Sequence, residues 1–110
     1  GGQQARVMIA RLLYHRRPLL ILDDPFASVD MKTEDQLFDR IHALCRDSII
    51  LLISHRLRTF PKTSQVLWIG KDGKVTTSTH EKLLAENEDY RRLWALQNPK
   101  MHESHCEERR

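Results

Sequence analysis

The sequence predicts an α/β fold with a partial parallel sheet, and three features carry that reading. The stretches 19–22 and 48–53 are short, continuous apolar runs (Ser48 apart), the pattern of strands buried on both faces of a parallel sheet. Between them Leu37, Phe38, Ile41, Leu44 and Cys45 recur at helical spacing, which supplies the crossover that two parallel strands need. Each apolar run then stops abruptly in polar chemistry, Asp23-Asp24 after the first and Ser54-His55-Arg56 after the second. If the strands are parallel, both polar ends lie on one edge of one sheet, where ligands bind in open α/β folds.

The remaining elements follow in chain order. Gly1 and Gly2 precede a segment in which Val7, Met8, Ile9, Leu12 and Leu13 mark an amphipathic helix, from near Gln3 to a point before Pro18. Glycines at a helix start let backbone N–H groups approach an anion closely, and the helix dipole favours the same anion. Asp23 and Asp24, side by side after the first strand, are costly unless a cation or a proton relieves them; the plainer alternative is an acidic, solvated turn. Residues 30–33 look like a helix start, with Glu34 and Asp35 in its first turn, and this helix runs to about Arg46. A single His at a strand end is commonly structural, but His55 gains interest from the acid pair expected on the same sheet edge.

Residues 57–61 read as a short helical or irregular link. Two β-forming stretches, 65–70 and 74–77, flank Lys71-Asp72-Gly73, a hairpin signal. Thr79 is placed to cap a helix over 80–85. A last helix over 89–97 carries Tyr90, Leu93, Trp94 and Leu96 and ends at Asn98-Pro99. Residues 98–110 form a polar tail, expected to be flexible. Its His102, His105 and Cys106 are three soft ligands where a closed metal site takes four, so no metal is assigned to them.

Composition narrows the class. With 40% hydrophobic and 30% charged residues the chain is globular rather than disordered. Its formal net charge of +3 is spread along the chain, with small groups at Arg16-Arg17 and Arg109-Arg110, so no nucleic acid is expected as a partner. Cys45 and Cys106 have neither metal nor redox spacing and are expected to be free thiols in a reducing compartment. No apolar run approaches the ~20 residues of a membrane span, and no signal peptide is visible. The chain begins Gly1-Gly2-Gln3-Gln4 without an initiator Met, which we read as part of something longer.

At this point the motifs resemble a known family. GGQQAR at the start is similar to the end of the signature motif of ABC transporter nucleotide-binding domains, without its leading Leu-Ser. LLILDD resembles the Walker B strand, ASVD (27–30) the D-loop, and SHR (54–56) the switch motif. The four occur in the family's order, and the resemblance extends through the hairpin and last helices to about residue 97. It implies that residues 1–97 are the C-terminal portion of an exporter-type nucleotide-binding domain, a partial P-loop NTPase core with a C-terminal hairpin and helices. It implies ATP and Mg²⁺ as cofactors. Asp23 would hold Mg²⁺ through water, Asp24 would polarise the attacking water, and His55 would contact the γ-phosphate. Gly1, Gly2 and Gln3 would bind ATP held by a partner subunit, and Asp30 would join the contact between the two domains. The implied partners are a second nucleotide-binding domain, in a heterodimer, and a membrane-spanning domain, on the cytoplasmic face of the cell membrane.

Two departures refine this expectation. No G-x-x-x-x-G-K-S/T loop occurs in the chain, so the phosphate cradle and its Lys are missing and the chain alone should not hydrolyse ATP. Asp24 stands where the family usually has Glu, one methylene longer, and a displacement of order 1 Å can cost ~10²-fold in rate. The combination of Asp24 with an intact GGQ resembles the degenerate-site subunit of a bacterial heterodimeric exporter. The rival readings are an importer, against which Ser54-His55-Arg56 argues, a DNA-repair ATPase, against which the short hairpin argues, and a truncated, non-catalytic interaction module.

Overall fold

In the computed structural model, residues 2–15 and 17–99 are described, and they fall into two compact units, Gly1–Arg56 and Leu57–Arg110. Gly1, Arg16 and the tail from Lys100 onward, including His102, His105, Cys106 and Arg109-Arg110, lie outside the described residues.

The first unit has the expected strand–helix–strand core. Helix α1 (Gly2–Tyr14) leads into β1 (Leu19–Asp23), then α2 (Met31–Leu44) and β2 (Ile49–Ile53). The two strands pair in parallel, from Leu19 opposite Ile49 to Asp23 opposite Ile53. β2 begins one residue later than the apolar run because Ser48 is used otherwise. Its Oγ donates to the Arg17 carbonyl at 2.6 Å and its N–H donates to Cys45. Ile49 N–H then donates to the Pro18 carbonyl, so the start of β2 is strapped to the entry of β1.

The expectation that both strands are buried on both faces is corrected. Leu20 and Leu22 are 3% exposed, whereas Leu19, Ile21, Ile49 and Ile53 lie open, Ile49 at 72%. Successive strand residues point to opposite faces, and the core lies on one of them. Ile9 of α1, Leu37 and Ile41 of α2, and Phe26, Val29 and Cys45 close around Leu20 and Leu22. Among the described residues, nothing of comparable depth covers the other face. Cys45 is a buried free thiol, as expected.

The second unit contains, near its start, a 3₁₀ turn, Phe60–Lys62, slightly later than the link placed over 57–61. Strands β3 (Val66–Ile69) and β4 (Val75–Ser78) form the antiparallel hairpin. Gly73 takes a positive φ of 80° in its turn, which glycine adopts without steric cost, and Asp72 Oδ1 accepts the Lys74 N–H at 3.0 Å. Thr79 caps α3 (His80–Glu86) through its hydroxyl and the Lys82 N–H. Asn87 ends α3 and caps α4 (Glu88–Gln97), its side chain accepting from Tyr90 N–H at 2.9 Å. The core is Leu57, Val66, Leu83 and Tyr90, with Trp68 and Trp94 packed against it. No helix among the described residues is long and apolar enough to cross a membrane.

Candidate active site at the strand ends

The parallel register places Asp23 at the last rung of the ladder, opposite Ile53. Asp24 follows with a half-buried side chain and a left-handed backbone, φ 49°. Few residues besides glycine adopt that conformation, and Asp is among those that tolerate it. Its N–H donates to the Ile53 carbonyl at 2.6 Å. The acid pair and the Ser54-His55-Arg56 segment therefore meet at the C-terminal edge of the sheet, where the Asp24 backbone is tied to Ile53. Among the described residues neither Asp23 nor Asp24 has an ion-pair partner, and no group of three potential metal ligands occurs.

The loop from Asp24 to Asp30 is not the simple solvated turn of the plainer reading. Phe26 and Val29 are buried in the core and fix it from below, while Ala27 and Ser28 are exposed. Asp30 caps α2, its carboxylate accepting from Thr33 N–H at 3.2 Å and from the Thr33 hydroxyl. The Thr33 hydroxyl, then its N–H, hold this carboxyl below the usual carboxylate range.

Beyond β2, Ser54 Oγ accepts from the Arg56 N–H at 3.0 Å, bracketing an exposed His55. The Arg56 guanidinium reaches back across the unit. It donates to the carbonyls of Val29 at 2.8 Å and Ala27 at 2.9 Å, and to Glu34 Oε2 at 3.3 Å.

Glu34 and Arg56 are the residues that sequence reasoning missed. Glu34 lies in the first turn of α2, as expected, but it is 0% exposed and ion-paired, which was not foreseen. A signal was present: Glu34 precedes Leu37, Phe38 and Ile41 by three, four and seven positions, on the apolar stripe of α2. A carboxylate on that stripe needs a cationic partner. Gly2 opens α1, one residue before the start expected near Gln3. Gln3 lines a groove of about 730 Å3 between α1 and β1, shared with Val7, Arg11, Leu20 and Ile21, and neither Asp23, Asp24 nor His55 lines it.

In the second unit, His80 and Tyr90 are both buried, and Nδ1 of His80 lies 2.8 Å from the Tyr90 hydroxyl. Trp94 sits edge-on to His80, and Trp68 edge-on to Tyr90. Burial depresses the His80 pKa and, with Glu81 contributing, pushes the Tyr90 phenol up to about 12.

No family model matches the chain. Similar sequences are found among multidrug export ATP-binding/permease proteins of Staphylococcus aureus. Those of strains COL and Mu50 are each 33% identical over 98 residues, covering 89% of this chain and 17% of the relative. A solved bacterial Atm1-family ABC exporter with ATP bound superposes with a TM-score of 0.78 at 30% identity, over 88% of this chain and 17% of that one. The chain is similar to part of an ABC exporter. It spans about one-sixth of the length of the ABC exporters it matches, and the mixed parallel and antiparallel strands described above are the architecture that superposes. The relatives named above are exporters, in line with the resemblance drawn from SHR and the hairpin.

Proposed function

We propose that this chain is the C-terminal part of the ATP-binding domain of an ABC exporter, and that its parent couples ATP binding and hydrolysis to export across a membrane. The observation that carries the reading is the convergence of Asp23-Asp24 and Ser54-His55-Arg56 on one edge of a parallel strand pair, in a chain similar to ABC exporters. The residues suit Mg²⁺. Asp23 and Asp24 are hard oxygen donors without an ion-pair partner among the described residues, and Mg²⁺ usually takes one or two carboxylates plus phosphates and water rather than an all-protein cage. When bound, Mg²⁺ with ATP would supply neutralisation of developing phosphate charge.

In this reading Asp23 would hold Mg²⁺ through water, Asp24 would accept a hydrogen bond from the attacking water, and exposed His55 would donate to the γ-phosphate. Asp30, its carboxylate held ionised by Thr33, faces a second nucleotide-binding domain. Gly1, Gly2 and Gln3 serve ATP held by that partner, which is consistent with Gln3 lying on a groove apart from the acids. The partner domain is a different subunit, and the membrane-spanning domain belongs to the longer parent, which places the assembly on the cytoplasmic side of the membrane. The phosphate loop belongs to the parent as well.

Asp24, shorter than Glu, makes this a slow site. Asp24→Glu in the full-length heterodimer, with single-site turnover measured, is expected to raise hydrolysis at this site at least ~10-fold. No gain counts against the proposal. The 110-residue chain by itself is expected to show no detectable Mg-ATP binding in a calorimetric titration.

A further inference from the structure

Arg56 bonds on both sides of the candidate site. Its backbone N–H donates to Ser54 Oγ and closes a tight turn with His55 at the centre. Its guanidinium holds the Ala27 and Val29 carbonyls, which belong to the loop that ends in Asp30. The third acceptor, Glu34, is fully buried in α2, so the guanidinium is anchored by a charge that cannot move without opening the core. Phe26 and Val29 fix the loop underneath and the Val29 N–H donates to the Phe26 carbonyl, while the exposed Ala27-Ser28 tip is held from above by the guanidinium on the Ala27 carbonyl.

We propose that Arg56 is a positioning residue that locks the His55 turn to the 27–30 loop, so that a displacement of the loop by a docked domain is transmitted to His55. The inference rests on the ATPase reading for the roles of His55 and Asp30, and adds a residue to which that reading gives no part. Arginine is required by geometry. Its planar fork presents donors in several fixed directions and meets two carbonyls and a carboxylate together, whereas a lysine ammonium is a single point on a flexible stem. A merely structural ion pair would be replaced without loss by two apolar side chains of similar volume.

That difference supplies the test, made in the full-length protein assembled with its second nucleotide-binding domain. Two variants are compared with the wild type: Arg56→Lys, which keeps a charge beside Glu34, and the double variant Arg56→Leu/Glu34→Leu, which leaves no buried charge unpaired. Amide hydrogen exchange over residues 27–30 reports the loop, and turnover measured at the Asp24 site alone reports its kcat and KM for Mg-ATP. In both variants exchange at the Val29 amide is expected to rise about tenfold or more, and kcat to fall about tenfold with KM within about twofold. Unchanged exchange overturns the strap. A loosened loop with unchanged kcat, or a rise in KM alone, overturns its role in positioning His55. A wild-type assembly without ATP turnover overturns the ATPase reading and the role of His55 with it, while the exchange arm still decides whether Arg56 holds the loop.

Discussion

The N–H of Asp24 donates to the carbonyl of Ile53 over 2.6 Å, one residue past the last rung of the parallel ladder. This bond is made by backbone alone, so it survives substitution of the side chain. It fixes where residue 24 stands relative to the segment that carries His55.

The left-handed backbone at Asp24 gives a first prediction. At φ 49° glycine is unstrained, whereas a β-branched side chain is not tolerated without cost. Asp24→Gly is expected to unfold at the same or a higher denaturant midpoint than wild type. Asp24→Val should lose about 1–2 kcal/mol. Urea unfolding of the two variants side by side checks both directions.

The Arg56–Glu34 pair gives a second. Arg56→Ala leaves a fully buried carboxylate without its guanidinium, and a loss of about 3 kcal/mol is expected, at the lower end for buried pairs because the Arg56 side chain is 37% exposed. Arg56→Leu/Glu34→Leu should recover most of that loss. Equal destabilisation in the two variants would show that the charges matter less than the packing of the arginine stem.

The second unit should lose stability at both ends of the pH scale. Burial depresses His80 below its ordinary value of 6.5, so below that pH the unfolded chain binds a proton that the folded one refuses, and stability falls as the pH drops. Tyr90 is shifted the other way, from 10.0 to about 12. Between those values the unfolded phenol ionises while the folded one keeps its proton, so stability falls as the pH rises. Unfolding midpoints measured across pH should show an acid limb that His80→Phe weakens and an alkaline limb that Tyr90→Phe removes.

Asn87 serves two helices at once, by its backbone at the end of α3 and by its side chain at the start of α4. Asn87→Ala is expected to cost about 1 kcal/mol, and Asn87→Asp to cost little, since either side chain offers the oxygen that Tyr90 N–H needs. Amide exchange at Tyr90 should accelerate in the Ala variant, while Asn87, whose own N–H donates to Leu83, keeps its protection.

Local chemistry was the legible part of this chain. The helix spacing, Thr79 and Asn98-Pro99 marked helix limits, and Asp72-Gly73 marked the hairpin, because caps and turns are decided by residues close in sequence. The strand ends were legible as well, since a continuous apolar run that breaks into charge has few other meanings. Burial was not. Runs 19–22 and 48–53 have the composition of two-sided strands, but which faces are covered depends on other layers, and here Leu20 and Leu22 are covered while Ile21 and Ile49 are open. Glu34 shows the same limit: its place in the first turn was legible, but its burial beside a partner from 22 positions away was not.

The one-faced sheet has a consequence for the 110-residue chain by itself. With two strands in the sheet, β1 and β2 each present an outer edge, and the uncovered face carries Leu19, Ile21, Ile49 and Ile53. Unpaired strand edges beside bare aliphatic side chains are a template for another copy of the same strand. The 110-residue chain by itself is therefore expected to self-associate as its concentration rises, which light scattering over a dilution series checks.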